Sequence, residues 1–151
     1  MASGGGANWN TVIPRAILGV VLGYHGGQML FGLFGAPSGL VAKLAEQIQG
    51  WGWPVPTLLA YAFGGVQFFG GIALLLGILT RFWAFAAALV MAASAWKQHW
   101  AHGFDAREGG WEYQFVLGVL ALSLVVTGGG ALSLDEMFFK GKKKADPPPE
   151  A

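Results

Sequence analysis

One histidine stands inside a long apolar stretch, with an amide three residues on: His25 and Gln28. Residues three apart lie on the same face of a helix. Imidazole both donates and accepts hydrogen bonds and exchanges a proton near neutral pH. His25 could therefore donate to a quinone carbonyl or relay a proton. A neutral histidine bonded to Gln67 or to a backbone carbonyl is the plainer alternative. Gln67 lies in a second apolar stretch at similar depth, so His25, Gln28 and Gln67 form one candidate polar site.

A second group comprises His99 and His102, with Asp105, Glu108 and Glu112 around the same loop. Two histidines three apart with carboxylates can bind a metal. A polar loop above an aromatic belt explains the same residues, and no metal is assigned. A third group, Arg15, Arg81 and Asp135, falls near the ends of apolar stretches and is expected to form an ionic cluster pinning helix ends. A fourth, Lys140 to Lys144, reads as a topology signal that also touches anionic lipid.

Four apolar stretches must position these groups: roughly Val12–Phe34, Thr57–Leu79, Phe82–Trp96 and Tyr113–Thr127. A span needs about 20 mostly apolar residues. The first two reach that length, and the last two do so only with polar ends. The chain has 151 residues, of which 54% are hydrophobic and 11% charged. Its mean hydropathy is +0.52. Soluble domains carry about 25% charged residues, and a domain this small needs polar groups to cover its surface. The expected fold is all-α: an integral membrane bundle of four transmembrane helices.

Net charge is +1, which draws in no nucleic acid. The absence of cysteine excludes thiol catalysis, disulfides and iron–sulfur ligation by this chain. No phosphate-binding, dinucleotide-binding or nucleophile-elbow motif is present.

Arg15, Arg81 and the lysine run fall on one side of a four-span topology, predicting cytoplasmic termini in a bacterial inner membrane. Trp51, Trp53, Trp96, Trp100 and Trp111 mark the other interface. Between the first two stretches, Leu40, Val41, Leu44 and Ile48 share a helical face. This predicts a short interfacial helix capped by Ser38 and ended by Gly50. Residues 1–11 are expected to be a flexible lead-in, 12–135 the membrane domain, and 136–151 a basic, proline-rich cytoplasmic tail without structure.

Small residues let helices approach in lipid. Gly19, Gly23 and Gly27 form such a ridge in the first stretch. In the second, Gly64 and Gly71 share a face with Ala60 and Gln67.

These residues resemble the DoxX family. Arg15…Gly19…His25-Gly-Gly-Gln-Met-Leu-Phe-Gly32 is similar to its opening motif, and Gln67 through Arg81 to its second-helix motif. His99…Gly103-Phe104…Gly110-Trp-Glu112-Tyr113 and Thr127 through Asp135 are similar to its closing half. The resemblance covers roughly residues 12–135. It implies a four-helix membrane bundle associated with thiosulfate:quinone oxidoreductase or other redox partners. It also exposes two departures: the family usually has Lys where Gln28 stands and Glu where Gln67 stands. A buried charged pair is thus neutral here.

Two functions follow as expectations. The favoured one is a non-catalytic accessory subunit of a larger membrane redox complex, held by helix and lipid contacts and with no intrinsic cofactor. The alternative is a membrane subunit of a quinone-linked oxidoreductase, which predicts a pocket reaching His25. Bound quinone or lipid is the ligand either would carry. A small-solute transporter has little support, because only His25 is ionisable at mid-depth.

Overall fold

Each apolar stretch folds as a helix, because in a low-dielectric surrounding the backbone must satisfy its own hydrogen bonds. The computed structural model describes residues 9–143. Of the flexible lead-in expected over residues 1–11, residues 1–8 lie outside the described residues, as does the proline-rich end after residue 143. The expectation is corrected at Trp9–Thr11, which form a 3₁₀ turn with Thr11 buried and its hydroxyl donating to Gly129 O.

Six α-helices occur in order: α1 (Val12–Phe31), α2 (Leu40–Gly50), α3 (Pro56–Leu76), α4 (Thr80–Ser94), α5 (Glu112–Thr127) and α6 (Leu134–Lys143). No strand is present among the described residues. α1 packs against α3, α4 against α5, and α3 joins the two pairs, with α2 laid on α3. Leu18, Leu22, Ile48, Leu74 and Leu124 are fully buried between them. Ala84, Ala87 and Ala121 are equally buried on α4 and α5, where small side chains let two helices approach closely.

The outer faces are apolar as well. Ile13, Ile17 and Val20 on α1, Phe69 and Ile72 on α3, Phe82, Phe85 and Leu89 on α4, and Val119, Leu122 and Val126 on α5 are all exposed. Water does not tolerate so continuous an apolar surface on a monomer; lipid does. α3 is the one described helix long and apolar enough to cross a membrane by length and composition. Only 33% of its apolar window is buried, unlike the core helix of a soluble protein. Of the four spans expected, α3 is the one that meets the criterion among the described residues. α1 carries Arg15, His25 and Gln28, and α4 and α5 have 15 and 16 residues.

α4 does not end at Ser94 in the ordinary way. It passes into a π-helical turn, Ala95–His99, and then a 3₁₀ turn, Trp100–His102. A π turn carries one more residue per turn than an α-helix and often marks a functional position.

α2 stands where a short helix is expected, burying Leu44 and Ile48. Its caps differ. Gly39, not Ser38, precedes its first residue, no side chain caps it, and Gly50 is helical with Trp51 beyond it. The tryptophans do gather: Trp51 meets Trp53 edge-on, Trp100 stacks on Trp111, and the Lys97 ammonium lies 4.4 Å from the Trp96 ring centroid.

The glycine register is shifted from the expected one. A methyl group built on Gly26 would fall on the Phe68 backbone, 2.6 Å from Cα. One on Gly71 would fall on Gly23, and one on Gly19 would lie 2.9 Å from the Gly71 carbonyl. One on Gly23 itself would meet nothing within 4 Å. The close α1–α3 contact therefore runs through Gly19, Gly26 and Gly71. Gly23 contributes its backbone, Gly27 packs on Leu33 and Phe34, and Gly64 packs on Leu30.

The ionic cluster is also corrected. The wholly buried Arg15 donates from Nη1 to Gly129 O (2.8 Å) and from Nη2 to Leu132 O (3.1 Å). Arg81 donates to Val126 O at the end of α5, at 3.3 Å. Asp135 accepts from the amides of Leu79 (2.7 Å) and Thr80 (2.8 Å), capping α4 from a distant segment. Each charge makes its hydrogen bonds to backbone, because glycine-rich turns present unpaired carbonyls and helix starts present unpaired amides. Within the expected cluster, Asp135 also favours the Arg15 charge electrostatically. At the centre of this knot, Gly77 ends α3 with φ 69°, and an added Cβ would overlap Ser133 and the Arg15 guanidinium. Only glycine fits there.

The last correction concerns the tail. α6 carries helix through residues 136–143, where an unstructured segment is expected.

Candidate functional site

Polar residues of five helices, Ser94 of α4 among them, and of the π turn converge on one cavity of about 440 Å³. That lies within the range of small-molecule sites. α1 supplies His25 and Gln28 from one face, three residues apart. α3 supplies Gln67, and α5 supplies Tyr113 and Gln114. The π turn brings Gln98 and His99 to the same wall. α2 closes one side with Lys43 and Gln47. Leu22, Met29, Phe63 and Leu117 form apolar walls between the polar groups.

The three residues His25, Gln28 and Gln67 are thus brought together, as the spacing predicts. The partner of His25 is different. Its Nε2 lies 3.0 Å from the Tyr113 hydroxyl, 88 residues away, rather than at Gln67 or a backbone carbonyl. The side chain is also exposed, not enclosed. Tyr24 packs edge-on against the imidazole at 5.5 Å.

His99 has a defined tautomer. Its Nδ1 lies 2.7 Å from the Gly109 carbonyl. A carbonyl only accepts, so Nδ1 carries the hydrogen, and Nε2 of the neutral ring is an acceptor. Gln98 is tied across the π turn by the Ser94 hydroxyl at 3.3 Å. Gln114 Oε1 is buried without a partner. Buried acceptors are normally satisfied, and this oxygen is an acceptor that the described residues leave open toward the cavity wall.

The lining contains five glutamines, two histidines and a tyrosine; Lys43 carries its only fixed charge. Such a set recognises a neutral ligand with carbonyl or hydroxyl groups, rather than an anion needing several cations. Sequence reasoning misses Gln98, Tyr113 and Gln114 as site residues. The available signal was the recurrence of amides near the ends of apolar stretches, where lipid alone would favour none.

The outer-loop group does not assemble. His99 turns to Gly109, Glu112 accepts from the Ala106 amide, and Asp105 accepts from the Arg107 amide. His102 lies on a separate 3₁₀ turn. Among the described residues, no three histidines or carboxylates are grouped to hold a metal ion.

Tyr113→Phe tests the geometry directly. Removing one hydroxyl from a neutral hydrogen bond is expected to lower stability by no more than about 1.5 kcal/mol. Unfolding by SDS titration of the purified protein checks this. A larger loss would mean that the pair holds α1 to α5 rather than shaping the cavity.

An all-helical membrane protein with a neutral polar cavity is the class these features define. The chain belongs to the DoxX family: the DoxX model matches residues 11–100. A model described as "TQO small subunit DoxD" matches residues 56–147. The chain is similar to "Putative oxidoreductase CatD" of Bacillus subtilis (strain 168), at 26% identity over 137 residues, covering 90% of this chain and 92% of that protein. No solved structure matches.

Proposed function

We propose that this chain is a multi-pass inner-membrane subunit of a quinone-linked oxidoreductase, with a quinone head group received beside His25. In this reading α1, α3, α4 and α5 cross the bilayer and both termini are cytoplasmic. The observation that carries it is the cavity reaching His25, which joins His25, Gln28, Gln67, Tyr113 and Gln114 in one wall. The names of the DoxD model and the Bacillus relative support an oxidoreductase setting.

The chemistry suits the lining. A quinone presents two carbonyl acceptors, and the tyrosine hydroxyl, imidazole and glutamine amides are donors. The quinol presents two hydroxyl donors, and the unpaired Gln114 oxygen is an acceptor. Reduction takes two electrons and two protons. The electrons come from a redox centre on a partner subunit, and the His25–Tyr113 pair stands where a proton is handed on.

An accessory subunit without a ligand is the second reading, favoured by one observation. Gln28 and Gln67 are neutral in the cavity wall, so no carboxylate there moves protons.

The two separate in one experiment. Native protein and His25→Ala are purified in mild detergent, extracted for quinone, and analysed by mass spectrometry for partners. Quinone bound to the native complex and at least tenfold depleted in His25→Ala, with partners retained, is the expected result. Partners without quinone in either sample support the accessory role. Native protein recovered alone and free of quinone ends both redox readings.

A further inference from the structure

α6 is placed by its first turn. The Asp135 amide donates to Gly77 O at 2.9 Å, and its carboxylate holds the first amides of α4. The Glu136 amide donates to the Ser133 hydroxyl, which itself donates to Gly130 O at 2.7 Å. α3 ends at Leu76 and α4 starts at Thr80, so α6 begins at the level where the chain turns between two apolar helices. In a membrane protein that is the level of the lipid head groups.

From there the helix shows apolar side chains that none of the described residues covers. Met137 is 68% and Phe138 73% exposed. Leu132 before them, and Leu79 and Phe82 at the start of α4, are exposed as well. The sequence then runs Phe139-Lys140-Gly-Lys-Lys-Lys144, and the helical backbone continues to Lys143. Asp135 does not offset this charge at the surface, since both its oxygens face backbone amides within the fold.

We propose that α6 is a membrane-surface helix that seats this end of the protein on anionic phospholipid. An apolar pair followed within a few residues by four lysines matches an anionic bilayer in both of its layers. Methionine and phenylalanine enter the acyl boundary while ammonium groups meet phosphate. Lysines near such a surface add to one another in drawing the helix onto anionic head groups. A protein groove would need an acidic rim to match the same lysines, whereas an anionic leaflet supplies that charge everywhere.

The absence of cysteine gives a clean probe. Met137→Cys, and separately Phe138→Cys, in the full chain is labelled with an environment-sensitive nitrobenzoxadiazole. Each is placed in nanodiscs of phosphatidylcholine alone or with phosphatidylglycerol. The expected result is emission several-fold brighter with phosphatidylglycerol and quenched by nitroxide-bearing lipid. The variant K140E/K142E/K143E is expected to give the neutral-disc signal in both. Emission equally bright in both lipids and unaltered by charge reversal would mean protein or uncharged lipid covers α6. Dim emission in every disc would mean the helix points into water. Either outcome overturns the proposal.

Discussion

Gly26→Ala is expected to prevent the native helix packing, while Gly23→Ala leaves it intact. The two glycines are three residues apart on α1. The added methyl at Gly26 meets the backbone of Phe68, which has no rotamer in which to retreat. Overpacking against side chains costs about 1–3 kcal/mol; against a helix backbone the helices must separate, and the loss exceeds that range. At Gly23 the methyl enters open space, and alanine also favours helix over glycine by about 1 kcal/mol. SDS-titration unfolding of the two purified variants decides the matter. Equal stabilities would mean that α1 and α3 cross at another register.

Arg15→Met is expected to be nearly as damaging at the opposite end of α1. Methionine matches much of the arginine stem but leaves Leu132 O without the guanidinium and Gly129 O with the Thr11 hydroxyl alone. Leu132 is held at φ 55°, a conformation costly for a side chain with a Cβ. A hydrogen bond from a charged group of this kind contributes about 1.5–3 kcal/mol. Arg15→Lys keeps the charge but loses the fork that reaches two carbonyls, so it falls between. Limited proteolysis at residues 128–133 reports this: the methionine variant should be cut fastest, lysine next, native slowest. Equal cutting of all three would show that the loop is held without Arg15.

How much of this was legible in the sequence differs by feature. Apolar runs located α1, α3, α4 and α5 to within a few residues, because burial and lipid exposure both demand them. They did not give helix length. The third stretch needed its polar end, Lys97–His99, to reach span length, and the backbone does continue helically through it, but as a π turn that the residue types did not announce. The meeting of His25, Gln28 and Gln67 was readable from depth and shared faces. The meeting of His25 with Tyr113 was not, since it joins residues 88 apart and depends on how α1 and α5 pair. Gly26 was overlooked because a three-residue ridge gives no crossing angle. The partners of Arg15 were hidden for a different reason: they are carbonyls of Gly129 and Leu132, and a carbonyl leaves no mark in the residue type. Opposite charges invited an ion pair, and glycine turns supplied a better anchor. The run of lysines suggested a disordered end because charge was visible, whereas the pin at Asp135 was not.

The bonds from Thr11 and Arg15 to the Gly129 turn span 118 and 114 positions. That separation bears on how the protein is made. A ribosome adds on the order of ten residues per second, so the first helix leaves the exit tunnel on the order of ten seconds before its acceptors exist. During that interval the guanidinium must be served by water or head groups, which holds the young helix near the surface of the membrane. Its final seating waits for residues 129–132 to emerge. The seating of the first helix is therefore completed only when nearly the whole chain has been made.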